Sequence, residues 1–242
     1  MKTAEIIKNK MVEMYDEKQS SHLSRFFKTG KGEYGEGDKF LGIKVPETRL
    51  LVKQFKKDVS LEDIEILISS EWHEIRLAGF LLLVELYKMN KKNHQIAETS
   101  RLVEFYIANI SRGNNWDLVD LIAEHILGDW LLTHTKDRLI LQELSESDSL
   151  WHQRVAIVST FMLIKHGEYK DTFKIAKQYI NHNHDLIHKA TGWMLREIGK
   201  RIDEILLLAF LDENASGMPR TMLRYSIERL SPEKRIYYLK LK

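Results

Sequence analysis

The chain has 242 residues, 43% hydrophobic and 30% charged, with 37 basic against 35 acidic side chains and no cysteine. That composition is ordinary for a soluble globular protein with a sizeable core, and the missing cysteines exclude disulfides, thiolate metal sites and cysteine nucleophiles. A formal net charge of +2 does not announce a nucleic-acid partner; any such partner requires positive charge gathered on one face.

The N-terminal segment, MKTAEIIKNKMVEMYDEK, is amphipathic and charged and lacks the apolar centre of a signal peptide. Helical spacing of Ile6, Ile7, Met11, Met14, Leu23, Phe26 and Phe27 predicts helix over 4–27. A polar, glycine-rich stretch runs from Thr29 to Pro46 and reads as a surface loop. Beyond it the pattern predicts helices over 47–57, 61–69, 72–89, 93–111, 116–133, 136–145, 149–166, 169–181, 185–200, 202–212, 217–230 and 232–240. Breakers are scarce, the prolines being Pro46, Pro219 and Pro232. The longest apolar stretch, Leu77 to Val84, falls far short of the roughly 20 residues of a membrane span. A chain without cysteine suits a reducing cytosol, so a cytoplasmic location is expected.

The second helices of successive pairs look alike: WHEIRLAGFLLLVEL from Trp72, NWDLVDLIAEHIL from Asn115, LWHQRVAIVSTFML from Leu150 and LIHKATGWMLREIGK from Leu186. Arg76 and Arg154 lie 78 positions apart, two periods of about 39, close to the period of roughly 40 of two-helix repeats. The expected fold is all-α: one domain over 1–242, a HEAT-like or armadillo-type superhelix of antiparallel helix pairs stacked into a curved solenoid. An irregular helical bundle is the alternative.

Three features resemble sites that their surroundings argue against. Gly30, Gly32 and Gly35 match GxGxxG, yet LSRFFK before them reads as a helix end and no strand is near. His182, His184 and His188 have chelating spacing but no supporting cysteine, and read as solvated histidines at a helix start. The serines show no partner for nucleophilic catalysis. Neither metal nor cofactor is expected.

Tryptophan carries the information. Trp72 and Trp151 read as repeat core. Trp193 falls off its helix's apolar stripe and aligns with Lys189, Arg196 and Lys200, at i−4, i+3 and i+7. Three cations around an indole suit a sugar-phosphate backbone; the alternative is a solvated basic face whose tryptophan packs on the next repeat. Trp116 and Asp120 are i, i+4 neighbours near a helix start. Asp120 is either an acid favoured by the helix dipole or a carboxylate that stabilises positive charge developing on a sugar. Arg154, in W-x-x-R, suits a phosphate contact or a structural ion pair.

Four ordered segments, FLGIKVPETR (Phe40–Arg49), NWDLVD (Asn115–Asp120), LWHQRVA (Leu150–Ala156) and KATGWMLRE (Lys189–Glu197), resemble the AlkD-type DNA alkylation repair proteins, which are HEAT-like-repeat DNA glycosylases. The resemblance covers nearly the whole chain. It implies excision of N3- or N7-alkylated purines from double-stranded DNA, without metal or cofactor, by a monomer. It also implies a catalytic set of Asp120, Trp116 and Trp193. Asp120 would stabilise an oxocarbenium-like sugar and position water, the two indoles would pack around the deoxyribose, and Arg154 would hold a phosphate. A DNA-contacting aromatic belongs in the N-terminal region, with Tyr34 and Phe27 the candidates. Two departures stand out: Thr29–Lys39 is longer and richer in glycine than the family's connection, and Asn115 stands where the family has a second tryptophan. The competing functions are a non-catalytic binder of distorted or branched DNA and a helical scaffold for a protein partner.

Overall fold

The computed structural model describes residues 2–241. Those residues contain no strand; an isolated parallel bridge joins Lys39 to Trp72. The all-α expectation is met. The chain divides into two compact units, one ending at Ile122 and the other starting at Ala123. No helix of the described residues is long and apolar enough to cross a membrane.

The first unit contains α1 (Thr3–Glu13), α2 (Glu17–Phe26), α3 (Val45–Phe55), α4 (Leu61–Ile68), α5 (His73–Lys92), α6 (Ile96–Ala108) and α7 (Trp116–Asp120). Helix α5 is its centre. It is buried on every side from His73 to Val84, and α3, α4 and α6 pack against it. Asp63 closes a capping box with Ser60 at the start of α4, and its Oδ1 accepts the Ala4 amide at 2.9 Å, which ties α1 to α4.

The predicted helix over 4–27 is two helices, because Asp16 acts as a cap. Its carboxylate accepts the Gln19 amide at 2.9 Å, and its own amide donates to the Leu41 carbonyl at 2.9 Å instead of continuing α1. Leu41, Gly42 and Ile43 in turn donate their amides to the buried Glu74 carboxylate at 2.8, 2.8 and 3.1 Å. Gly42 has φ +88, a left-handed conformation in which a side chain would also press on the Asp16 carbonyl.

The second unit contains α8 (Asp129–Leu131), α9 (Leu139–Ser145), α10 (Leu150–Lys165), α11 (Lys170–Tyr179), α12 (Asp185–Arg201), α13 (Glu204–Asn214), α14 (Arg220–Ser226) and α15 (Pro232–Lys240). Helices α10 and α12 lie at its core, packed on each other, with α9 against α10 and α13 and α14 against α12.

The predicted helix over 116–133 is interrupted. Helix α7 ends at Asp120, and a π-helical turn, Glu124–Gly128, precedes α8. The Gly128 amide reaches back five residues to the Ala123 carbonyl at 2.9 Å, and Ser159 Oγ donates to that same carbonyl at 3.5 Å. Gly128 sits so close to the Ser159 carbonyl that a β-carbon would collide with it. A side chain inserted at the carbonyl ladder, together with a glycine at the contact, accounts for the wide turn.

Candidate functional site

Asn115 ends the extended segment before α7, and its Oδ1 accepts the Trp116 amide at 2.9 Å. Trp116 therefore opens the helix, half-buried, and stacks on Phe27 with ring centres 5.4 Å apart. Phe27 stacks in turn on Phe40 at 5.0 Å. Phe26 meets Trp116 edge-on at 6.1 Å and is 57% exposed, so the aromatic stack reaches the surface. Asp120 ends α7 one turn beyond Trp116 and is half-buried. Its charge acts on the buried Tyr106 hydroxyl, whose pKa is pushed upward first by burial and second by Asp120. Tyr34 is half-buried, with Lys28 Nζ 6.0 Å from its ring centre.

Beneath the stack lies a polar cluster that sequence reasoning missed. His73, the first residue of α5, places Nδ1 3.0 Å from Asp38 Oδ2 and Nε2 2.9 Å from Asp117 Oδ2. Arg76, one turn on, pairs with Asp38 and donates to Asn114 Oδ1 at 2.9 Å and to the Ser70 carbonyl at 3.0 Å. Asp38, His73, Arg76 and Asp117 are all buried. Burial opposes ionisation of Asp38, but the hydrogen bond from His73 and the charges of Arg76 and His73 overcome it and hold the carboxyl below its ordinary value. Burial likewise opposes protonation of His73. The Asp117 charge and hydrogen bond, then those of Asp38, outweigh it and push the imidazole up to about 9. The available signal was His73 and Arg76 at i, i+3, which with Glu74 put three polar residues ahead of the apolar, buried stretch Leu77–Val84.

The other predicted residues lie in the second unit. Lys189, Trp193, Arg196 and Lys200 share α12. Trp193 is half-buried, its ring 5.4 Å from Phe161. Lys189 pairs with Asp185 at 2.8 Å, and Arg196 pairs with Glu228 and lies 3.5 Å from Glu197. Arg196 and Lys200 line a cavity of about 260 Å³ with Arg229, Glu204 and Leu207. Lys234 neutralises Glu204, so the cavity wall is net positive. Arg154 is only 4% exposed, and its Nη1 donates to the Leu186 carbonyl at 2.5 Å, bracing α10 against the start of α12.

The two resembling motifs have structural roles. In the glycine-rich loop Gly30 and Gly32 donate their amides to Glu33 and Glu36 at 3.0 and 2.8 Å, leaving a phosphate no cradle there. His184 Nδ1 caps α12 by accepting the Leu186 amide at 3.1 Å, His182 Nε2 meets Gln153 Oε1 at 2.8 Å, and His188 Nε2 donates to the His182 carbonyl at 2.5 Å.

A family model described as DNA alkylation repair enzyme matches residues 7–230. A solved structure described as a predicted DNA alkylation repair enzyme from Enterococcus faecalis is similar with a TM-score of 0.69 at 19% identity, over 90% of this chain and 98% of that one. At that identity the likeness is one of fold. No curated protein matches the chain.

Proposed function

The chain belongs to the DNA alkylation repair enzyme family, and on that premise we propose that it is a monofunctional DNA glycosylase that releases N3- and N7-alkylated purines from double-stranded DNA. A purine alkylated at these nitrogens is already cationic, so it leaves with the electron pair of the glycosidic bond and needs no strong general acid. The sugar becomes oxocarbenium-like, and water then adds at C1′ and loses a proton. Asp120 stabilises the positive sugar, more strongly there than on the neutral ground-state sugar, and orients that water. In the first unit Trp116 packs on the deoxyribose and Tyr34 meets the backbone; in the second, Trp193 packs on a sugar and Lys189, Arg196 and Lys200 grip phosphates, while Arg154 braces α10 against α12. The protein acts as a monomer on a HEAT-like scaffold in the cytoplasm, at the nucleoid.

One observation carries this reading. Helix α7 offers a half-buried indole and a half-buried carboxylate one turn apart, beside an aromatic stack that surfaces at Phe26. An aromatic platform for a sugar and a partly desolvated carboxylate are what this bond cleavage requires. The test is release of methylated purines from alkylated duplex DNA under single-turnover conditions, wild type against Asp120→Asn. The wild type should release base, and the variant should be slower by about a hundredfold or more. Wild-type DNA binding without release would make the protein a binder of distorted DNA and end the glycosylase reading; an equally fast variant would end the role given to Asp120.

A further inference from the structure

The cluster of Asp38, His73, Arg76 and Asp117 takes no direct part in the proposed chemistry, yet it touches the helix that does. Helix α7 has five residues, too few to hold a helical conformation or an orientation on its own, so tertiary contacts must impose both. Two of those contacts lead back to His73. One is polar: Nε2 meets the carboxylate of Asp117, the residue after Trp116, at 2.9 Å. The other is aromatic: the imidazole stacks on Phe40 at 4.6 Å and lies 5.1 Å from Phe27, the ring on which Trp116 stacks.

Both ring nitrogens of His73 face carboxylates, and only the imidazolium has a proton for each. The charged groups around it are Asp38 from the segment before α3, Arg76 from its own helix and Asp117 from α7. Asn114 and Asn115 are neutral, and Glu74 is turned to the amides of Leu41, Gly42 and Ile43. Two carboxylates thus meet two cations, and removing the imidazolium leaves Asp117 buried without its counter-charge.

We propose that His73 is a positioning residue, which through Asp117 and Phe27 holds α7 in the orientation that places Trp116 and Asp120 for base release. This rests on the glycosylase reading for its activity arm only. Asp117 links the cluster to α7, so the position of Trp116 reports the clamp even in the absence of turnover.

The test uses the full chain labelled with 5-fluorotryptophan, the Trp116 fluorine signal being assigned by Trp116→Phe. In the wild type that signal should shift with pH around a midpoint of about 9, and in His73→Gln it should be flat. At pH 7 His73→Gln should lower the single-turnover rate of base release about tenfold or more while DNA affinity changes by less than about threefold, the signature of misplacement. Asp117→Asn keeps an acceptor for Nε2 and removes the charge. It should lower the fluorine midpoint toward neutral and retain most of the wild-type rate, and it decides the matter if His73→Gln does not fold. A Trp116 signal insensitive to pH in the wild type, or a folded His73→Gln with an unchanged signal and rate, overturns the proposal. If the wild type releases no base, the glycosylase reading fails while the fluorine titration still decides the clamp.

Discussion

Exchanging Glu74 for glutamine removes a charge from a place where three backbone donors converge on it. Oε1 accepts from Gly42 and Ile43, and Oε2 accepts from Leu41. A glutamine oxygen in the Oε1 position keeps two of these bonds, but as neutral ones, and its NH2 group then faces the Leu41 N–H. Bonds to a charged group contribute about 1.5–3 kcal/mol and neutral ones about 1. The two weakened bonds and the lost one together cost about 4 kcal/mol, a large share of a typical domain's stability. Urea unfolding at pH 7 followed by circular dichroism measures this. Glu71→Gln is the control: that glutamate pairs with Lys39 at 2.5 Å, but both side chains are more than half exposed, so its loss should cost no more than about 0.5 kcal/mol. A loss below about 1 kcal/mol for Glu74→Gln, or equal losses for the two variants, refutes the reasoning.

The His73 cluster makes stability depend on pH. The imidazole is held at about 9 in the folded chain against 6.5 ordinarily, so its contribution is fully present below pH 6.5 and is lost as the pH rises through 9. That gap is worth about 3 kcal/mol. The urea midpoint of the wild type should therefore fall more between pH 6 and pH 10 than that of His73→Gln, and parallel losses would disprove it. Asp38 acts on the acid side, its contribution being present above its ordinary 3.8 and lost as the pH falls through its lower folded value. Lys200 is exposed beside the net-positive cavity. Lys200→Gln should leave thermal stability unchanged and reduce the salt slope of DNA binding by about one; an unchanged slope would remove Lys200 from the DNA-gripping surface.

Periodicity alone made the helical class legible, because apolar spacing and scarce proline are local properties. The pairing of Trp116 with Asp120 was legible for the same reason, being one helical turn. His73 was not: its partners lie 35 residues upstream and 44 downstream, so no spacing rule joins them. The division of 4–27 was hidden because the Asp16 amide leaves α1 for the carbonyl of Leu41, a group far along the chain. The π-helical turn also depends on a distant group, the Ser159 backbone that Gly128 abuts. Spacing placed Lys189, Arg196 and Lys200 on one face of α12, but the acids that engage the first two include Glu228, which lies between α14 and α15.

The Glu74 carboxylate gives residues 41–43 an unusual standing. They have no regular secondary structure, and a contour drawn from the backbone would class them with the loops. Their amides, however, are sealed under a buried carboxylate rooted in the first turn of the central helix. Exchange of those amide protons with water must wait for α5 itself to come away, so in free energy the segment belongs to the cooperative core.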